Sequence, residues 1–114
     1  MHELSIAMSI LDLAAEEAAK HGNARVTHLH VKLGPLSGVV RSALLSAYEL
    51  ARLGSSLEEA ELVIQEVPVL VHCSVCASTQ SAVSPQDIRC GQCGTPTSEV
   101  LGGRELELVA MEIQ

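Results

Sequence analysis

The chain has 114 residues, 47% of them hydrophobic, a formal net charge of −7 and a single aromatic residue, Tyr48. This length suits one small compact domain, and the composition is too apolar for a disordered acidic tail. The apolar runs are too short for a membrane-spanning helix, and seven dispersed Lys and Arg residues against fourteen Asp and Glu argue against nucleic-acid binding. No export signal is recognisable at the amino end, so we expect a cytoplasmic protein with an aliphatic core and no membrane contact.

Two amphipathic helices are predicted in the first half of the chain. Over residues 4–20 apolar residues recur at helical spacing, and Gly22 follows as a left-handed stop. A second helix is predicted over residues 40–53, with Leu44 and Tyr48 on its inner face. The inner stripe of the first helix is expected to comprise Leu4, Ala7, Met8, Leu11, Ala15 and Ala18.

Three strands are predicted around these helices, over residues 25–33, 60–67 and 104–113. The strand–helix–strand order favours a crossover that makes the first two strands neighbours or parallel partners. In the first strand, polar and apolar residues alternate, as expected for a sheet with one buried face. The apolar residues are Leu29, Val31 and Leu33, and the polar ones are His28, His30 and Lys32.

All four cysteines lie in one short segment, with the spacing C-x2-C-x13-C-x2-C. Each CxxC turn can direct two thiolates at one ion, and the arm between the turns brings the pairs together in a tetrahedral arrangement. Disulfides rarely persist in the cytosol, so we predict a metal site, with zinc as the first candidate and iron in a rubredoxin-like site as the second. Four protein ligands leave no open coordination position, which favours a structural role. The predicted ligands are Cys73, Cys76, Cys90 and Cys93.

The segment around the cysteines is too short for a hydrophobic core of its own, so metal binding is expected to supply its folding energy. We therefore expect an α/β (α+β) fold, with a small three-stranded sheet, two helices and an inserted zinc-ribbon-like knuckle domain. Residues 1–68 and 102–114 are predicted to form one domain, and residues 69–101 the other. The apolar residues expected to pack inside the insert are Val75, Val83 and Ile88.

Other interpretations of the polar residues stay open. A lone CxxC can be a redox pair, so a thiol oxidoreductase is the alternative to a metal site. His72, next to Cys73, is either a half-exposed residue or a ligand that replaces a thiolate in acid. His28 and His30 share one strand face and are interpreted as part of a solvated surface rather than as a metal site. Arg89 is expected to offset part of the negative charge of the cysteines.

The amino end offers a second metal-binding chemistry. The α-amine of Met1, the amide nitrogen and ring of His2, and the amide of Glu3 can close chelate rings around one cation. A planar set of nitrogen ligands suits Ni(II) or Cu(II), whereas zinc prefers a tetrahedral set. Chemistry alone does not decide here, because a histidine near a chain end is by default a solvated, mobile side chain.

Segments along the whole chain also match one known family, in order and at the family's length. They are residues 1–7, 9–10, 31–34, 36–39, 44, 47–49, 60–62, 68 and 103–106, together with the paired CxxC motif. Through these segments, which begin Met-His-Glu-Leu-Ser-Ile-Ala, the chain resembles the HypA/HybF hydrogenase nickel-incorporation family.

This resemblance implies a nickel metallochaperone with two metal sites, and not an enzyme. His2 with the Met1 amine, and Glu3 beside it, would form the nickel site, and the four cysteines would bind structural zinc. The family delivers nickel to the large subunit of [NiFe] hydrogenase together with the GTPase HypB, and some members also serve urease. Other nickel chaperones are further expected partners, and the chain is expected to be a monomer or a homodimer. The alternative function is a zinc-ribbon protein-interaction module without nickel transfer.

The chain departs from the family's usual pattern at two points in the insert. Ala77-Ser78 follow Cys76 where the family usually has a glycine, and the aromatic residue common in the family's insert is missing. Both departures concern the scaffold of the insert and leave its four cysteines in place.

Overall fold

The computed structural model describes residues 2–114, and Met1 lies outside the described part. The elements follow the predicted order, α–β–α–β, then the cysteine segment and a closing strand, which confirms the predicted α+β fold class. They are α1 (Glu3–Lys20), β1 (Val26–Leu33), α2 (Arg41–Ala51), β2 (Glu61–Glu66), β3 (Leu70–Cys73), β4 (Ser78–Ser84), β5 (Asp87–Cys90), β6 (Val100–Gly102) and β7 (Leu106–Ile113). Over residues 2–114, no helix is long and apolar enough to cross a membrane.

The strands form two sheets. β1 lies between β2 and β7 in a three-stranded sheet, so the first two predicted strands are neighbours, as expected. The second sheet has four strands in the order β5-β4-β3-β6, with antiparallel pairing throughout. The cysteine spacing predicts only turns in this segment, so the four-stranded sheet is an addition to the predicted fold.

The chain divides into two compact units. The first contains the described residues up to Lys32, with Val39–Gln65 and Glu107–Gln114, and the second contains Leu33–Gly38 and Glu66–Leu106. The loop 33–38 belongs to the second unit because its backbone bonds there: Gly34 donates to the Glu105 carbonyl oxygen, and Leu36 donates to that of Gly103. The predicted domain ranges place residues 33–38, 66–68 and 102–106 differently, and the division into a nickel and a zinc domain stays a prediction.

Helix α1 ends as its sequence predicts but buries a partly different face. Gly22 has φ +70°, and the Asn23 amide donates to the Ala18 carbonyl oxygen at 2.9 Å, which is the bonding pattern of a Schellman C-cap. Leu4 and Met8, expected in the inner stripe, are exposed, so this part of the prediction is wrong. The helix has apolar residues on several of its sides, and the side that is buried is the one rich in alanine, with smaller side chains. The buried residues are Ala7, Ile10, Leu11, Ala14 and Ala18.

The only aromatic residue of the chain joins α2 to the start of β2. Tyr48 is fully buried, and its hydroxyl donates to the Ala60 carbonyl oxygen at 2.8 Å. Arg52 donates to the same oxygen at 2.9 Å, and its guanidinium lies 5.8 Å from the centre of the Tyr48 ring. Burial raises the pKa of Tyr48 to about 12, so the hydroxyl keeps its proton and remains a donor at neutral pH.

Strand β1 has the alternation that its sequence predicts. One face is buried through Leu29, Val31 and Leu33, whereas His28 and His30 on the other face are half-exposed. The largely aliphatic core of the first unit therefore includes Leu29 and Val31 with the buried residues of the two helices, among them Tyr48, whereas Leu33 belongs to the second unit.

The second unit has a smaller core than the sequence predicts. Val75 and Val83, expected to pack inside it, are exposed, and Ile88 is half-buried. Gly34 and Gly103 pass each other closely in this unit, because a Cβ on Gly34 would lie 2.1 Å from the Gly103 carbonyl oxygen. The buried hydrophobic residues of this unit are instead Leu33, Val69, Val71, Cys73 and Cys90. Two of these five are cysteines, so the cysteine cluster forms a substantial part of the inside of the unit.

Candidate metal centre

The four cysteines converge at one end of the four-stranded sheet. Cys73 and Cys90 are the last residues of β3 and β5 and are fully buried, whereas Cys76 and Cys93 lie in the turns that follow and are more exposed. All four sulfur atoms lie within 4.8 Å of one another. The distance between Sγ atoms is 3.6 Å for Cys73 and Cys93, and 4.0 Å for Cys76 and Cys90.

These distances fit a tetrahedral zinc site. A Zn–S bond of about 2.3 Å gives an edge of about 3.8 Å in a regular tetrahedron. The two measured sulfur separations, 3.6 and 4.0 Å, lie on either side of this value. The cluster therefore has the size of a closed four-thiolate centre, and the predicted approach of the four cysteines is present in the structure.

In each CxxC turn a backbone amide donates to the sulfur of the first cysteine, from three residues on in the first turn and from two residues on in the second. In the first, the Cys76 amide donates to Sγ of Cys73 at 3.3 Å, and in the second the Gln92 amide donates to Sγ of Cys90 at 3.4 Å. Backbone donors of this kind stabilise a thiolate and orient it as a ligand. Each turn is followed by a residue in the left-handed region. These two residues are Ala77, with φ +53°, and Gly94, with φ +77°.

A threonine supports the more exposed end of the cluster. The Thr95 hydroxyl lies 3.1 Å from Sγ of Cys93, and this hydrogen bond lowers the pKa of the Cys93 thiol to about 6. The hydrogen bond between Cys76 and Cys93 raises the pKa of Cys76 to about 12. Metal ligation requires thiolates. A cation bound by all four sulfur atoms would therefore favour the thiolate form of Cys76 as well as that of Cys93.

Arg89 and His72, which lie next to cysteines in the sequence, do not act on the sulfur cluster. Arg89 is paired with Asp87, and its Nε donates to Oδ1 of that carboxylate at 2.9 Å. Its charge is therefore already balanced, so the expected compensation of the thiolates by Arg89 is wrong. His72 lies half-buried on β3 with its backbone bonded to Glu99 and Thr97, and it is not part of the sulfur cluster.

The other predicted metal-binding residues lie at the start of α1. His2 is exposed and caps the helix through its backbone, since its carbonyl oxygen accepts from the Ile6 amide at 2.9 Å. Its side chain makes no capping hydrogen bond. Glu3 is half-buried in the first turn of the helix. Met1, the third predicted residue of this site, lies outside the described residues, so the site as a whole stays a prediction.

A comparison with models of known protein families identifies the family of this chain. Residues 1–113 match the model of the family described as "Hydrogenase/urease nickel incorporation, metallochaperone, hypA". The chain belongs to the HypA family. The resemblance inferred from the sequence segments is therefore confirmed over nearly the full chain.

Curated HypA proteins are similar to this chain over nearly their whole length. The hydrogenase maturation factor HypA of Roseiflexus sp. strain RS-1 is 47% identical, with 100% of this chain and 93% of the relative covered. The protein of the same name from Chloroflexus aurantiacus strain J-10-fl is 44% identical, with 98% of each chain covered.

Solved HypA structures have the same architecture. The solution structure of the Ni metallochaperone HypA from Helicobacter pylori is 27% identical, with a TM-score of 0.65 and coverage of 99% of this chain and 97% of that one. A second solution structure of a HypA protein is 25% identical, with a TM-score of 0.71 and coverage of 100% and 97%. Membership of a nickel metallochaperone family and the four-cysteine cluster together support metal binding by this chain.

Sequence reasoning missed the residues that hold the cysteine turns in place. Thr95 and Gly94 were not singled out, although Gly94 directly follows the second CxxC unit. Ala77 is identified from the sequence as standing where the family usually has a glycine, and its φ of +53° gives the physical reason for that glycine. A glycine after such a turn is a usable signal, because it indicates a backbone conformation that other residues adopt at a cost. Thr95 has no comparable signal, since its role depends on the approach of its hydroxyl to Cys93.

Proposed function

We propose that this HypA-family chain is a cytoplasmic nickel metallochaperone and not an enzyme. It takes up Ni(II) at its amino terminus and passes the ion on during maturation of [NiFe] hydrogenase. The observation that carries this proposal is the family match over residues 1–113, which includes the whole amino-terminal segment. The ligands proposed for nickel are the Met1 amine, His2 and Glu3.

The start of α1 has free ligand atoms for such an ion. The first amides of a helix have no acceptor within the helix, so the amides of His2 and Glu3 can bind a cation without breaking a helical hydrogen bond. The exposed His2 ring is not used in capping. The positive end of the helix dipole works against a bound cation, and the Glu3 carboxylate in the first turn offsets part of this effect. A site balanced in this way suits an ion that has to be released to a partner.

For the four-cysteine cluster we propose zinc, held by Cys73, Cys76, Cys90 and Cys93. A bound zinc ion would supply folding energy to the second unit, whose own core is small. Four thiolates and one divalent ion change the formal charge of the chain from −7 to −9. Because all four positions of the tetrahedron are taken by protein ligands, the site has a structural role.

The proposed partners follow from the family. The family description names both hydrogenase and urease, and the curated relatives are named as hydrogenase maturation factors. We therefore propose the large subunit of [NiFe] hydrogenase as the recipient, with a HypB-type GTPase in the same delivery. Service to urease and contact with other nickel chaperones are finer proposals of the same kind.

Nickel titration of the untagged, zinc-loaded protein tests the amino-terminal site. His2→Ala should remove the higher-affinity nickel site and leave the zinc content at one ion per chain. Extending the amino terminus by a few residues should have the same effect, because it moves the α-amine away from His2. His21→Ala is the matched control, since His21 is an exposed histidine at the other end of α1. Unchanged high-affinity nickel binding in His2→Ala would contradict the proposed ligands, and absence of nickel binding by the unmodified protein would favour the zinc-ribbon interaction module.

A further inference from the structure

Three side chains with metal-binding atoms meet on the three-stranded sheet of the first unit. Nε2 of His30 lies 2.6 Å from Oε2 of Glu112 on the neighbouring strand β7, and Nδ1 of His28 lies 3.8 Å from the same oxygen. The centres of the two imidazole rings are 6.4 Å apart. The exposed fractions of the side chains are 41% for His28, 34% for His30 and 56% for Glu112, so an ion can reach them from solvent.

The sheet itself produces this arrangement. Successive side chains of a strand point to opposite faces, so His28 and His30 share the half-exposed face of β1. The Thr27 hydroxyl bonds both to strand β7 and to the His28 ring. Its hydroxyl donates to the Glu112 carbonyl oxygen at 3.2 Å and accepts from Nδ1 of His28 at 3.1 Å. Two imidazoles of β1 thus lie close to one carboxylate of β7.

We propose that His28, His30 and Glu112 form a third divalent-cation site, for a first-row transition metal such as Ni(II) or Zn(II). Imidazole nitrogen and carboxylate oxygen are ligands that these metals share, and two histidines with one glutamate are a known zinc ligand set. Metal–ligand bonds of about 2.0–2.2 Å place neighbouring ligand atoms about 3.3–3.6 Å apart in a tetrahedral site. The observed separations from the Glu112 carboxylate are 2.6 and 3.8 Å, whereas the centres of the two rings are 6.4 Å apart, so the His28 ring has to rotate toward the ion to complete the site.

The ion takes the place of a proton in this cluster. The hydrogen bond with His30 lowers the pKa of Glu112, and the carboxylate oxygen accepts this hydrogen bond from a proton that stays on the ring. A divalent cation displaces this proton from His30 into solvent and bonds to both the nitrogen and the carboxylate. His28 then presents Nδ1 by moving its proton to Nε2 through exchange with water. Three protein ligands leave at least one position for water, in contrast to the closed sulfur cluster.

This site goes beyond the proposed function, because it requires neither the Met1 amine nor His2. Lys32 is the next residue on the same strand face, and its positive charge opposes a bound cation. We therefore expect binding to be weaker than at a site made of four thiolates. The same lysine provides a variant whose effect should be opposite in sign to that of the ligand variants.

Nickel chloride titration of the zinc-loaded His2→Ala protein isolates this site from the amino-terminal one. We expect one residual nickel ion per chain by calorimetry, with paramagnetic broadening of the imidazole NMR signals of His28 and His30. His28→Ala combined with His30→Ala should abolish this residual binding, and Glu112→Gln should weaken it about tenfold or more. Lys32→Ala should strengthen it about twofold. Zinc chloride added beyond the cysteine equivalent should bind at the same place.

The matched control is His21→Ala in the same background, which removes one exposed imidazole and should change nothing. Absence of residual nickel in His2→Ala protein would overturn the proposal, and so would residual nickel that survives the double histidine substitution. Circular dichroism of each variant separates loss of the site from loss of the fold. Failure of the amino-terminal site has a different signature, because wild type and His2→Ala would then bind the same amount of nickel.

Discussion

The residue that follows each CxxC turn has a left-handed backbone conformation, and the two turns have different residue types at this position. Ala77 and Gly94 both have positive φ, and a Cβ on Gly94 would meet no atom within 4 Å, so only backbone strain distinguishes the residue types there. The left-handed conformation costs a residue with a Cβ roughly 1 kcal/mol or more. The chain therefore contains one strained turn and one relaxed turn around the same cluster.

We predict opposite effects on zinc affinity for Gly94→Ala and Ala77→Gly. Folding of the cysteine segment is coupled to metal binding, so backbone strain appears as a loss of affinity. Gly94→Ala should weaken zinc binding about tenfold, and Ala77→Gly should strengthen it by about twofold, since added entropy of the unfolded chain offsets part of the gain. Competition with a chromogenic chelator measures both. Gly22→Ala, another open position with positive φ, is the control that should leave zinc affinity unchanged.

Tyr48 and Arg52 share one acceptor, and this predicts a non-additive double substitution. In Tyr48→Phe the Ala60 carbonyl oxygen still accepts from Arg52, so the free energy of unfolding should fall by only about 1 kcal/mol. Arg52→Met alone should be similarly tolerated at this oxygen. The combined variant leaves the Ala60 carbonyl oxygen without either donor. Its free energy of unfolding should fall by about 1–2 kcal/mol more than the sum of the two single-variant decreases. Urea unfolding of the four proteins measures the coupling, and strict additivity would show that the two donors act independently.

At the scale of elements, the sequence predicted those with regular apolar spacing and missed those without it. Strand β1 alternates clearly, and its buried face was identified correctly. Strand β4 has the sequence STQSAVS, which contains too few apolar residues for a pattern of period two. Its pairing with β3 and β5 depends on backbone hydrogen bonds, and a single sequence carries little information about those. For helix α1 the element was predicted correctly, but its buried face was only partly correct. Apolar residues lie on several sides of this helix, so its sequence is compatible with two overlapping apolar stripes.

The cysteine segment should depend on its metal, whereas the helices should not. Cys90 is fully buried, and its amide and sulfur are both hydrogen-bonded within the turn. In Cys90→Ser we expect loss of zinc and fast amide exchange throughout β3–β6, with α1 and α2 still protected by the core around Leu44 and Tyr48. Hydrogen-exchange mass spectrometry with a zinc assay tests this. Ser74→Ala, at an exposed position of the first CxxC turn, should retain both zinc and protection. Retention of zinc by Cys90→Ser would contradict its role as a ligand.

At the scale of the whole molecule, the two predicted metal sites differ in how far the sequence could define them. Four cysteines in two CxxC units constrain each other locally, and the structure brings their sulfur atoms together as predicted. The amino-terminal site depends on an α-amine and backbone nitrogens, which every chain possesses. No residue pattern distinguishes such a site, so its assignment came from the family resemblance, and it stays a prediction for Met1, His2 and Glu3.

The reactivity of the four cysteines distinguishes a nickel metallochaperone with a structural zinc site from a thiol oxidoreductase. In a zinc-loaded metallochaperone the four thiolates are bound to metal, so a disulfide reagent should react with almost none of them until a chelator is added. During slow chelation Cys93 should be alkylated first, because it is exposed, and the buried Cys73 and Cys90 last. Mass spectrometry of the labelled peptides gives this order. An oxidoreductase would instead show rapid, reversible formation of a disulfide within one CxxC unit while zinc remained bound. That result would replace the structural role of the cluster with a catalytic one.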